Sequence, residues 1–196
     1  MTNRKHTEPE TESSAPMNTV ERHSTSSSQP PSEPAHPATT KYEYRTLHAL
    51  PEADMLQRIA TLHESIFSGK GDVGLIQKIH NNVTIPDIKE LLTIVALDGE
   101  EVIGYKIGYP LMEDQNTFYS WLGGVDPHYR KQGIASILMD TQHQHLRQAG
   151  YHKVQTKTMN RWRNMLLLNI QYGFDIVDTF TDAQGSFKIV LEKDLL

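Results

Sequence analysis

The stretch Leu122-Gly-Gly-Val-Asp-Pro-His-Tyr-Arg-Lys-Gln-Gly-Ile-Ala-Ser-Ile-Leu-Met139 decides the fold. It opens as the end of a strand, because Pro127 has no N–H with which to continue a ladder past Val125. A short basic turn follows and runs into a helix whose apolar residues Ile134, Ile137 and Leu138 recur at helical spacing. The first N–H groups of a helix lack partners within it and carry partial positive charge. Gly133 keeps a side chain out of that space, and Arg130 and Lys131 add charge, so the turn suits a di- or polyphosphate.

The flanking elements read outward from this turn. Tyr42, Tyr44 and Thr46 alternate with charged residues as a first strand. Pro51 opens a helix with Met55, Leu56, Ile59, Leu62, Ile66 and Phe67 on one face. Ser68 to Asp72 breaks it, and Val73 to Ile79 reads as a shorter helix. Leu92 to Leu97 and Val102 to Tyr109 pair about the turn Asp98-Gly-Glu100, and Phe118 to Val125 is the next strand. The helix Gly133 to Gln148 turns Ile134, Ile137, Leu138, Thr141 and Leu146 inward and stops at Gly150. Val154 to Thr158 is a strand, Asn164 to Tyr172 a helix ended by Gly173, and Phe174 to Phe180 with Phe187 to Leu191 a closing hairpin. This order predicts a mixed sheet covered by helices, an α/β (α+β) architecture.

Composition narrows the function. The 196 residues suffice for one domain with a proper core, and the net charge of −5 gives no reason to expect a nucleic-acid or membrane surface. No apolar run approaches the roughly 18 residues of a membrane span, and the N-terminus does not read as a secretory signal. Cysteine is absent, which excludes thiolate metal sites and cysteine nucleophiles and accords with a cytoplasmic location. Residues 1–40 are rich in Ser, Thr, Pro and Glu and read as a disordered tail before a domain at 41–196. Ser68-Gly69-Lys70-Gly71 lacks the glycine that a nucleotide-binding loop needs earlier in the chain, so it reads as a plain loop. His143 and His145, two apart on a helix, cannot share a metal and read as surface residues; no metal is expected.

Arg130-x-x-Gly133-x-Ala135, preceded by Val125-Asp-Pro127, resembles the pyrophosphate-binding signature of the GNAT superfamily of N-acetyltransferases. A second landmark, Asn164-Met-Leu-Leu-Leu-Asn169-Ile-Gln-Tyr-Gly173-Phe174, resembles the family's Asn-containing helix ending in Gly-Phe. Asn160-Arg-Trp-Arg-Asn164 resembles the turn before it. The resemblance implies a mixed, mostly antiparallel sheet in which a parallel pair, ending at Val125 and Thr158, splays apart after a bulge. Helices would cover both faces, and acetyl-CoA would lie in the gap. Gly123-Gly124 would be the bulge. The backbone of Leu122, Gly123 and Val125 would bind the pantetheine arm as an added strand. Arg130, Lys131 and the N–H groups of Gln132, Gly133, Ile134 and Ala135 would hold the pyrophosphate, and Asn160, Asn164 and Asn169 would also bind the cofactor.

The implied reaction is attack of a primary amine, on a small molecule, peptide or protein, upon the thioester. The position of the family's usual tyrosine acid holds Asn169. Three readings stay open: Asn169 hydrogen-bonds the sulfur or pantetheine, Tyr172 supplies a phenol, or no acid is needed because a thiol of pKa about 8.5 leaves as thiolate. Glu113, Asp114, Tyr119 and His128 are candidate bases, Glu113 foremost. The resemblance also allows a homodimer. A non-catalytic CoA-binding sensor or interaction domain of the same fold is the second reading.

Overall fold

The computed structural model describes residues 41–67, 74–81 and 91–196. The expected tail, the Ser68–Asp72 break and the loop after the second helix lie outside these residues. Strands β1 (Glu43–His48), β2 (Leu92–Asp98), β3 (Glu101–Pro110), β4 (Thr117–Val125), β5 (Lys153–Thr158), β6 (Asp175–Thr181) and β7 (Phe187–Asp194) form one seven-stranded sheet. Helices α1 (Ala53–Phe67) and α2 (Leu75–Asn81) precede β2; α3 (Ile134–Gln148) links β4 to β5 and α4 (Arg163–Gln171) links β5 to β6. The strand order is β1-β2-β3-β4-β5-β7-β6, antiparallel except for the β4–β5 pair. The parallel pair is joined through α3, as a crossover connection requires.

Two apolar clusters lie on the two faces of this sheet. Ile59 and Ala60 of α1 and Leu75 of α2 pack on Val95, Leu97, Tyr105 and Ile107. Leu138, Met139 and Leu146 of α3 pack on Ile94, Ala96, Ile103 and Val154, with Leu166 and Leu168 of α4 at the margin. Helices therefore cover both faces, and β3 alternates between two cores. Gly124 sets the spacing on the first face, since a β-carbon there would lie 2.7 Å from Ile66 Cδ1.

Two expectations are corrected. The β-bulge is at Trp121, where the register passes from Ile107↔Leu122 to Gly108↔Ser120; Gly123 and Gly124 pair regularly with Lys106 and Tyr105. Trp121 and Leu122 consequently pack toward the same cluster, as an extra residue in one strand demands. His143 is only 1% exposed, and His145 is half-buried against His48 at a ring separation of 4.7 Å. His143 follows Met139 by four residues and precedes Leu146 by three, so it shares their inward face.

Candidate functional site

The parallel pair holds together only from Thr117↔Lys153 to Ser120↔Thr156. There the Thr156 hydroxyl donates to the Ser120 carbonyl at 2.8 Å. Beyond this point β5 stays with β7 as far as Thr158↔Ile189, and β4 runs on to Val125 without a partner on that side among the described residues. The strands splay. Asp126 N–H donates to Ile103 C=O at 2.9 Å. By the alternation of an antiparallel ladder, Gly124 and Leu122 then face β3, while Gly123 and Val125 turn their peptide groups to the open edge. Of the three residues expected to pair with a ligand backbone, Leu122 is thus directed to β3 instead. Phe67 and Trp162 meet edge to face at 5.0 Å, joining α1 to the turn before α4.

At the end of the open edge, the Asp126 carboxylate accepts from His128 N–H at 2.7 Å and caps the 3₁₀ turn Pro127–Tyr129. Lys131 (φ 62°) and Gly133 (φ 81°) are left-handed, a conformation rare for a residue with a β-carbon. No side chain caps α3. The first α3 bond runs from Ile137 N–H to Gly133 C=O at 3.0 Å, so the N–H groups of Ile134, Ala135 and Ser136 have no intrahelical acceptor. A β-carbon on Gly133 would meet nothing within 4 Å. Glycine is there for its backbone and for the open space beside it. Gln132 Oε1 accepts from Tyr42 O–H at 2.7 Å, and Arg130 Nε–H donates to Val125 C=O at 3.2 Å, so both side chains brace the turn. Lys131 is exposed.

A narrow cleft runs inward from this turn. Gly123, Gly124 and Val125 form one wall, and Ala135, Leu138 and Met139 of α3 with Met165 and Leu168 of α4 form the other. Met139 and Met165 are unbranched and can repack around an entering chain. Lys106, 9% exposed, and Tyr105 close the floor. Burial pushes the Lys106 ammonium down to about 8. Lys106 had no role legible in the sequence, because alternation along β3 separates two faces without telling a solvent face from a second core.

The remaining candidates separate. Asn160 and Asn164 are exposed at the N-terminal end of α4. Asn169 is 2% exposed, and its carbonyl accepts from Tyr172 and Phe174 N–H at 3.1 and 3.0 Å. Tyr172 turns toward α3: its hydroxyl donates to Asp140 Oδ2 at 3.2 Å and its ring lies edge-on to His143. Glu113 is exposed in the loop before β4, beside the closed end of the strand pair. Asp114 accepts from Thr117 O–H at 2.6 Å and Asn116 N–H at 3.0 Å, which spends it on that turn and lowers its pKa. The structure brings Gly123, Val125, Ala135 and the start of α4 around one cleft next to the Arg130–Gly133 turn, and leaves Tyr172 and Glu113 outside it.

A splayed parallel pair leading to an uncapped, glycine-initiated helix defines the acyltransferase fold that holds an acyl-CoA. The chain belongs to the acetyltransferase (GNAT) family, whose model matches residues 57–164, more than half of it. It is accordingly an acyltransferase of a family that uses acetyl-CoA or another acyl-CoA. Solved structures share the fold at low identity. The GNAT-family acetyltransferase of Staphylococcus aureus superposes with a TM-score of 0.62 at 13% identity, covering 79% of this chain and 100% of that one. Ard1 from Thermoplasma volcanium gives 0.60 at 17%, covering 78% and 98%. The ribosomal-protein-S18-alanine N-acetyltransferase from Escherichia coli gives 0.59 at 13%, covering 78% and 94%. No curated protein matches the chain.

Proposed function

We propose that this chain transfers an acetyl group from acetyl-CoA to a primary amine by direct attack on the thioester. The observation that carries the reading is the open edge of β4 ending at the uncapped N-terminus of α3. Gly123 and Val125 offer peptide groups to an extended pantetheine arm, as a strand offers them to a neighbour. Lys131 and the first N–H groups of α3 offer charge and donors to the pyrophosphate. Acetyl-CoA supplies the activated acyl group. An N–H of the open β4 edge would stabilise the oxyanion, and the narrow cleft would exclude water from the thioester.

The test is isothermal titration of the full chain with acetyl-CoA and, separately, ATP, alongside Gly133→Glu and Gly133→Asn. Asparagine tolerates the left-handed backbone, so it retains binding, whereas glutamate sets a carboxylate among the phosphate donors and abolishes it. Binding of ATP in place of acetyl-CoA would overturn the reading. A panel of primary amines assayed for thiol release then identifies the acceptor. Tight CoA binding without turnover on any of them would mark a sensor domain instead.

A further inference from the structure

Lys106 projects from the middle of β3 across Gly123: a β-carbon on Gly123 would lie 3.7 Å from Lys106 Cγ. Its side chain lines the cleft and is 9% exposed. No carboxylate, carbonyl or ring among the described residues pairs with its ammonium. A methionine would occupy the same volume without the cost of desolvating a charge. An unpartnered cation kept at the wall of a substrate cleft points to use of its charge or its proton.

The groups around it narrow that use. Across the cleft α4 presents Leu168 and, one residue on, Asn169, whose amide is not an acid at any working pH. The Tyr172 phenol is engaged with Asp140 of α3. His143 of α3 is held neutral: burial foremost, then Lys193 of β7, Lys106 and Arg147, push it down to about 2. Tyr105, the other ionisable residue on the cleft, bonds His63 on the opposite face of the sheet. Lys106 alone among the cleft-lining residues carries a transferable proton near neutral pH.

We propose that Lys106 donates a proton to the departing CoA thiolate. This rests on the acyl-transfer reading above. The acceptor nitrogen bonds to the carbonyl carbon, the C–S bond breaks with its electron pair on sulfur, and sulfur takes a proton from Lys106 Nζ. The neutral lysine is restored by the proton that the acceptor nitrogen sheds. The fit in acidity is close, since Lys106 near 8 faces a thiol of about 8.5. Efficient transfer asks for such a match.

The experiment needs no acceptor. CoA and acetyl-CoA are titrated into the full chain at pH 7.5 in buffers of different ionisation enthalpy, which counts the protons released. In the wild type, the sulfur of bound CoA and Lys106 Nζ share a single proton, which in the proposed step moves from nitrogen to sulfur. CoA then releases about one more proton than acetyl-CoA does, and binds about tenfold tighter relative to it than in the variant. Lys106→Met abolishes the proton difference, read at saturating nucleotide; its melting curve verifies folding, and Lys106→Gln serves as the second variant. Equal proton counts in wild type and variants would overturn the proposal while leaving the cofactor reading intact. So would an acetyl group found on Lys106 by mass spectrometry after incubation with acetyl-CoA, because an acylated nitrogen has no proton to give. Failure of either nucleotide to bind the wild type would overturn both readings.

Discussion

The two faces of the sheet treat buried polarity differently. Beneath α1, His63 is 1% exposed and its ring nitrogen meets the Tyr105 hydroxyl. Beneath α3 and α4, Gln142 and His143 are equally buried, yet both side-chain polar atoms of each lack a partner among the described residues, and the Lys106 ammonium, 9% exposed, pairs with none of those residues either. A buried polar group without a partner costs more than a paired one returns. The first face is therefore assembled for stability. The second carries unpaired polar groups, of which Lys106 lines the cleft. Thr93 on β2 is an exception on the α1 face, its hydroxyl buried without a partner among the described residues, whereas the unpaired Tyr44 hydroxyl on β1 belongs with the α3 face.

Substitutions can break this comparison or sharpen it. The largest effect should come from plain packing. Ile59 on α1 is fully buried, and Ile59→Ala should destabilise by about 2–5 kcal/mol in urea unfolding. Leu138→Ala, buried under α3, should cost a similar amount, so that apolar groups behave alike on both faces. A much smaller loss at Leu138 would mean that α3 packs loosely.

Lys106→Met should do the opposite and stabilise, by on the order of 3 kcal/mol at pH 7. The folded-state value of about 8 lies below the ordinary 10.5, so folding disfavours the charged form. That penalty is full below pH 8 and fades toward 10.5. The gap between wild type and Lys106→Met should accordingly narrow as pH is raised from 7.5 to 9.5.

His143 should reveal itself at acid pH. Its folded-state value near 2 lies under the ordinary 6.5, so stability is intact above 6.5 and falls as the unfolded chain gains the proton. By pH 5 the loss should be about 2 kcal/mol in the wild type and absent in His143→Leu. Equal acid sensitivity in the two proteins would show that His143 finds a partner in solution. The smallest change belongs to the paired face: His63→Leu, which removes the bond to Tyr105, should cost about 1–2 kcal/mol in urea unfolding at pH 7.5.

Much of this arrangement was legible in the chain. The turn at Pro127 to Gly133 was written in residues that act locally, a proline without an N–H and a glycine free to take positive φ. The hairpin turns at Gly99 and Gly185 were legible for the same reason, and both adopt positive φ. Less legible was anything that depended on a second element. Alternation along Gly104-Tyr105-Lys106-Ile107 separates two faces, but it cannot tell a solvent face from a second core. Only the packing of α3 opposite α1 made both faces interior and buried Lys106. The bulge was sought at Gly123-Gly124 because glycine relaxes backbone limits, yet Trp121 takes it, since register is set by which side chains find the two cores.

The α4 helix shows the same division. Its sequence carries Asn169 and Tyr172 three residues apart, near enough to share a face, and either could have reached the cleft. The contact with Asp140 draws Tyr172 to α3, and no local preference encodes that choice. The sequence by itself determined the order of elements, the glycine-containing turn before α3 and the family, because these rest on periodicity and on the backbone limits of single residues. Only the tertiary structure decided which peptide groups face the open strand edge and which buried side chains go unpaired, because both follow from how separate elements stack.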